Sequence, residues 1–135
     1  MADAVTTQTY DGKTDGKDYI RVHLTNLSDG TGESLVTKLD RSLYRGDAIK
    51  KLNLKSIRWS IQGFTYVRLD WDHTADDAIM MLGSGSGYEF YDNVLVDPNT
   101  SADAVTGAIG DILLTTGGAI LGATYDITAI FVAVE

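Results

Sequence analysis

The stretch SIRWSIQGFTYVRLDWD, residues 56–72, restricts the fold more than any other part of the chain. Ile57, Trp59 and Ile61 fall on one side of it and Arg58, Ser60 and Gln62 on the other. Past Gly63 the alternation resumes, with Val67, Leu69 and Trp71 opposed to Arg68, Asp70 and Asp72. A period of two belongs to a pleated strand, whose successive side chains point to opposite faces. Folded back as a hairpin on a three-residue loop, Gly63-Phe64-Thr65, the stretch pairs Ile61 with Val67, Trp59 with Leu69 and Ile57 with Trp71. A two-residue turn would set Trp59 against Arg68 and misplace the core. The hairpin also puts Arg58 opposite Asp70 as a cross-strand ion pair, contributing roughly 0.2–1 kcal/mol. The alternative is two strands in different sheets joined by a corner at Gly63. The shared side predicts burial of Ile57, Trp59, Ile61, Val67, Leu69 and Trp71.

Strand signals separated by turn residues recur along the rest of the chain, which is the all-β pattern. AVTTQTY leads to the turn-rich DGKTDGKD, and YIRVHLTNL sets Ile20, Val22 and Leu24 against Tyr19, Arg21 and His23. SLVTKLD follows SDGTGE as a short strand, while RSLYRGDAIKK reads as a loop with a helical turn. Leu52 and Leu54 are out of phase with Ile57, Trp59 and Ile61, so a bulge or bend is expected near Lys55 and Ser56. TADDAIMML fits one helical turn capped by Thr74. YEFYDNVLV reads as a strand, DPNTSADAVTGAIG as a long loop, and DILLTT and TYDITAIFVAV as closing strands. The last carries apolar residues on both faces, as a central strand or one buried against a partner chain does. The predicted fold is a single all-β domain, residues 1–135: a two-sheet antiparallel sandwich of about eight strands, of which a jelly roll is one form. An up-and-down barrel is the second choice.

Composition narrows the function classes. At 135 residues the chain can bury a core without staples, and with no cysteine it has neither disulfides nor thiolate chemistry. Eleven basic against nineteen acidic residues give a net charge of −8, a poor match for nucleic acid. The first residues lack the basic and apolar regions of a secretory signal. The apolar run from Ile112 to Val134 is broken by Gly117, Gly118, Gly122 and Asp126, so no membrane-spanning helix is expected.

Site chemistry is sparse. DGKTDGKD places Asp11, Asp15 and Gly16 as in a calcium loop, but Lys13 and Val22 stand where ligands are required, which favours a hairpin turn. Asp70, Asp72, Asp76 and Asp77 suit a cation only if the chain doubles back at His73; a strand face followed by a helix start explains them as well. GSGSG at 83–87 lacks the Lys and Ser/Thr of a phosphate loop and reads as a linker or a close backbone approach. His23 and His73 lie in no catalytic motif. Tyr88, Phe90 and Tyr91 fit a sugar-binding face or ordinary strand packing. The expected assignment is no catalytic, metal or cofactor residue, and no enzyme.

Three segments taken together, LTNLSDGTGES with VTKLD at 24–40, SIRWSIQGFTYVRLDWD at 56–72 and TGAIGDILLTTGGAILGATYDITAIF at 106–131, resemble a group of small structural proteins encoded in tailed-phage genomes. The resemblance implies a virion component, above all a capsid decoration (cement) protein that binds and stabilises the shell of major capsid protein. It also implies a location on the outer capsid surface after synthesis in the host cytoplasm, and self-association into a homo-oligomer such as a trimer. A tail or baseplate component is the alternative within that class, and a carbohydrate-binding β-sandwich module the alternative outside it. Residues 2–9 have two expected roles, an arm adding as a strand to a neighbour's sheet or an internal strand of the domain.

Overall fold

The computed structural model describes residues 4–14, 17–40, 51–72, 77–95 and 111–134. They form seven strands: β1 (Ala4–Thr14), β2 (Lys17–Asp29), β3 (Val36–Leu39), β4 (Lys51–Trp71), β5 (Asp77–Leu95), β6 (Ile112–Gly117) and β7 (Leu121–Val134). The all-β, antiparallel expectation is met, and no helix occurs among the described residues. The strands belong to one hydrogen-bonded sheet, ordered β1-β2-β7-β4-β6-β3 with β5 on β4, rather than to two separate ones.

The sheet closes over its own core by bending. Residues 56–72 are not a hairpin: they continue a single 21-residue strand, β4. β5 runs along one edge of β4, while the other edge takes β7 for residues 51–62 and β6 for residues 66–71. The change of partner falls at Gly63, where a corner was the alternative reading. The neighbouring strands break at the same level. β6 gives way to β7 across Gly118–Ile120, β2 to β3 across Gly30–Leu35, and β5 has its register shift opposite Ile61–Tyr66. Each break carries a positive φ, including Gly63 at 86° and Gly85 at 116°.

One hydrogen bond measures the fold-over. Trp71 Nε1 donates to the carbonyl of Leu52 at 2.9 Å, across nineteen positions of one strand. A straight strand would hold those residues about 60 Å apart. β4 therefore doubles back on itself, and its two halves face each other across a shared interior.

That geometry explains why the hairpin register fails although its burial pattern survives. Ile57, Ile61, Val67, Leu69 and Trp71 are all buried, because a bent strand and a hairpin alike turn both apolar sides into one core. Trp59 departs from the expectation and is only half-buried, packed beside the core near β5. The left-handed turn at Gly63 also shifts the phase, so that Phe64 points inward against the Tyr125 ring, with centroids 5.9 Å apart. The Arg58–Asp70 pair does not form. Arg68 Nε donates instead to buried Asp70 Oδ1 at 2.7 Å, within the second half of β4.

Other expectations resolve as follows. The bulge near Lys55 is present, as a register shift between Leu54 and Ser56 towards both β5 and β7. Residues 77–82 of TADDAIMML are strand, not helix, because Ile79 and Leu82 are needed in the core. GSGSG is not a linker but the middle of β5, and Gly87 is a close approach: a Cβ there would lie 2.3 Å from the Trp59 ring. Residues 4–9 are a strand of the domain itself, the second of the two expected roles, and not a free arm. They begin edge strand β1, paired with β2. The strand with two apolar faces, β7, is central between β2 and β4; Tyr125, Ile127, Ala129 and Phe131 fill the core, and Ile130 and Val132 are half-buried on the outside. RSLYRGDAIKK falls outside the described residues except for Lys51, and so does the whole of DPNTSADAVTGAIG.

A polar clamp holds the bend between β2 and β3. Glu33 Oε1 accepts from Asn26 Nδ2 at 3.0 Å and from the Tyr125 hydroxyl at 2.5 Å, and Lys38 Nζ donates to Glu33 Oε2. The Lys38 side chain is 3% exposed and that of Glu33 8%, so each charge depends on the other. The backbone beside them is tied to β6: Glu33 N donates to Thr116 Oγ1 and Leu35 N to Thr115 Oγ1, both at 2.9 Å.

Candidate functional site

The outer face of the sheet carries what the core excludes. Because facing residues of paired strands share a side, the register defines a rung of five side chains: Gln8 of β1, His23 of β2, Thr128 of β7, Arg58 of β4 and Tyr88 of β5. Their chain neighbours Val22, Ile57 and Ala129 point into the core, so all five point outward. On one side of this rung lie Arg21, Ile130 and Ser56, and on the other Asp126, Ser60 and Ser86.

These rungs line an open groove. One depression, about 430 Å³, runs from Gln8 and Arg21 across Ile130 and Ser56 to Tyr88. A second, about 700 Å³, shares His23, Arg58, Tyr88 and Thr128 with it and reaches Trp59 beside Gly87. Half-buried Ile130 and buried Ser56 form the floor, while Arg58 and Tyr88 stand exposed.

His23 Nε2 lies 2.8 Å from Asp126 Oδ1, a contact between diagonal neighbours that fixes the imidazole at one end of the groove. Arg58 has no hydrogen bond or ion pair with a described residue, and its guanidinium projects over the groove with its donors available. Tyr88 and Phe90 sit two residues apart on β5, 58% and 52% exposed, and present their rings on this face. Tyr91 points the other way and packs against the core. Burial, then the nearby Glu89 carboxylate, pushes its hydroxyl above the ordinary value of 10.0.

Of the residues singled out from sequence, the groove gathers His23, Tyr88 and, at its border, Phe90. Among the described residues no group of three or more His, Asp or Glu side chains is placed to hold a metal ion. Asp11 and Lys13 lie in β1, where that strand closes its hairpin with β2, and their side chains are not described. Asp70 is buried against Arg68, the backbone N–H of Asp72 donates to the Asp111 carbonyl at 2.8 Å, and the Asp77 side chain is not described. Asp15, Gly16, His73 and Asp76 lie outside the described residues. Gln8, Asp126 and Thr128 were missed. Each is a polar outward position on its own strand, and nothing local distinguishes it before the register joins five strands. Comparison with known proteins finds no matching family model, no matching curated protein and no matching solved structure.

Proposed function

We propose that this chain is a non-enzymatic structural protein of a phage virion, a capsid decoration protein that attaches to the shell of major capsid protein through its sheet edges. The supporting observation is the state of those edges. Among the described residues β1 pairs only with β2, and β5 only with β4, so each has an outer row of backbone donors and acceptors that no described strand pairs. Monomeric proteins protect such rows with charge, proline or short length. Here β1 has no charged residue from Ala4 to Tyr10, β5 has none from Ala78 to Tyr88, and neither stretch contains proline. The described side chains of β1 add nothing to the buried core: Val5 and Thr7 on one face, Thr6 and Gln8 on the other, are all exposed. A strand that lies beyond its own core is suited to be covered by a neighbour, with main-chain hydrogen bonds supplying affinity.

The test is a quantitative mass-spectrometric inventory of purified particles of the phage that encodes the chain. Hundreds of copies per particle are expected for a decoration protein. Tens of copies would instead mark a tail or baseplate component, and absence from the particle would overturn the virion reading altogether.

A further inference from the structure

We infer that the outer-face groove is a binding site for an acidic oligosaccharide, with Arg58 receiving a uronate carboxylate and the Tyr88 ring carrying the sugar. The reasoning begins with charge. The chain as a whole carries −8, yet the described residues lining the groove set two arginines, Arg21 and Arg58, against one carboxylate, Asp126. Asp126 is already engaged by His23 at 2.8 Å. Arg21 is engaged as well, so the cation that the groove leaves facing outward is Arg58, which has no partner among the described residues. A planar guanidinium on a rigid strand suits a carboxylate, which it meets with two parallel hydrogen bonds.

The rest of the lining argues for a sugar rather than a simple anion. Tyr88 presents its ring openly in the groove, 58% exposed, whereas the Phe90 ring two residues on is already covered by Lys55 Nζ, 4.6 Å from its centroid, which leaves Tyr88 as the ring for a sugar to stack on. Around Arg58 stand hydroxyl and amide groups, from Ser60, Ser86, Thr128 and Gln8, each able to donate and accept. Hydroxyl-rich ligands need that mixture, whereas an inorganic anion needs donors only. The depressions of about 430 and 700 Å³ share four residues and lie open along the face, which accommodates a chain better than an enclosed small molecule. The site uses side chains on the outer face, Gln8 and Tyr88 among them on the edge strands, whereas the attachment proposed above uses the main-chain groups of those strands, so each is tested separately.

The experiment is isothermal titration of the full chain with oligogalacturonate, with neutral cello-oligosaccharide and inorganic phosphate as comparison probes. Saturable binding of oligogalacturonate is expected, with little or none of the other two. Arg58→Ala should weaken it roughly tenfold to a hundredfold, the range for losing a charge-assisted contact. Tyr88→Ala should weaken it too, while Arg68→Ala, whose guanidinium is engaged with Asp70 in the other half of β4, should not. Circular dichroism of each variant checks the fold, and Arg58→Lys serves as a gentler second variant, expected to retain part of the affinity. Equal binding of the neutral oligosaccharide would overturn the role of Arg58, and equal binding of phosphate would overturn the sugar. Failure of oligogalacturonate to bind, or binding untouched by both Arg58→Ala and Tyr88→Ala, would overturn the site.

Discussion

Replacing Gly63 with alanine tests the bend on which the whole architecture turns. The residue has φ of 86°, where an L-residue bears about 1–2 kcal/mol of strain. A Cβ added there would lie 2.9 Å from both Cα and Cβ of Ala123. Part of that obstacle is backbone, so β7 must shift, a form of overpacking that costs about 1–3 kcal/mol. Together the two effects predict a loss of about 2–5 kcal/mol for Gly63→Ala. Two other glycines separate the causes. At Gly85 φ is 116° but nothing lies within 4 Å of the added atom, so Gly85→Ala should show the strain alone, about 1–2 kcal/mol. At Gly83 there is neither positive φ nor a neighbour within 4 Å, and alanine should be neutral or stabilise by up to about 1 kcal/mol. Urea unfolding followed by the fluorescence of Trp59 and Trp71 reads all three. With a slope of about 2 kcal/mol/M, Gly63→Ala should lower the midpoint by about 1–2.5 M. If the three variants unfold together, the bend is not enforced at Gly63 and the account of how β4 doubles back is wrong.

Glu33→Ala leaves the Lys38 ammonium buried without its carboxylate and should cost about 3–5 kcal/mol, whereas Glu33→Leu with Lys38→Met should recover only part of that loss in the same urea assay, because Asn26 Nδ2 and the Tyr125 hydroxyl still lose their acceptor. Leu35 holds φ of 48° in an exposed turn, so Leu35→Asn should raise stability by up to about 1 kcal/mol, measured as a higher unfolding midpoint. Val5→Lys together with Thr7→Lys should leave the circular dichroism spectrum unchanged and reduce co-sedimentation with capsids, since charge on an edge strand opposes pairing; unchanged co-sedimentation would exclude β1 as the attachment edge. The raised pKa of Tyr91 means that the fold favours the neutral phenol. Its contribution is intact below the ordinary tyrosine value of 10.0 and is lost as pH rises from there through the raised one, so Tyr91→Phe should flatten the fall in stability above that value.

Local pattern alone determined the strand character of this chain, and much of its core. Alternation placed Ile57, Ile61, Val67, Leu69 and Trp71 inside, and the change of phase between Leu54 and Ile57 located the bulge at Lys55, because a pleated strand admits no other response to a slipped period. The same alternation was blind to the path of β4. A hairpin at Gly63 and a strand bent at Gly63 bury the same side chains, and only contacts among Gly63, Ala123 and the turn at Gly118 select between them. Trp59 shows a second limit: its parity points to the core, but its burial depends on lying beside Gly87 near the sheet edge, a position that pairing decides. The groove was the least legible feature. Gln8, His23, Arg58, Tyr88 and Thr128 come from five separated segments, and each taken singly is an ordinary solvated strand residue. They become a site because antiparallel register sets them on one rung, and register is fixed by the packing of the whole sheet rather than by any stretch of sequence.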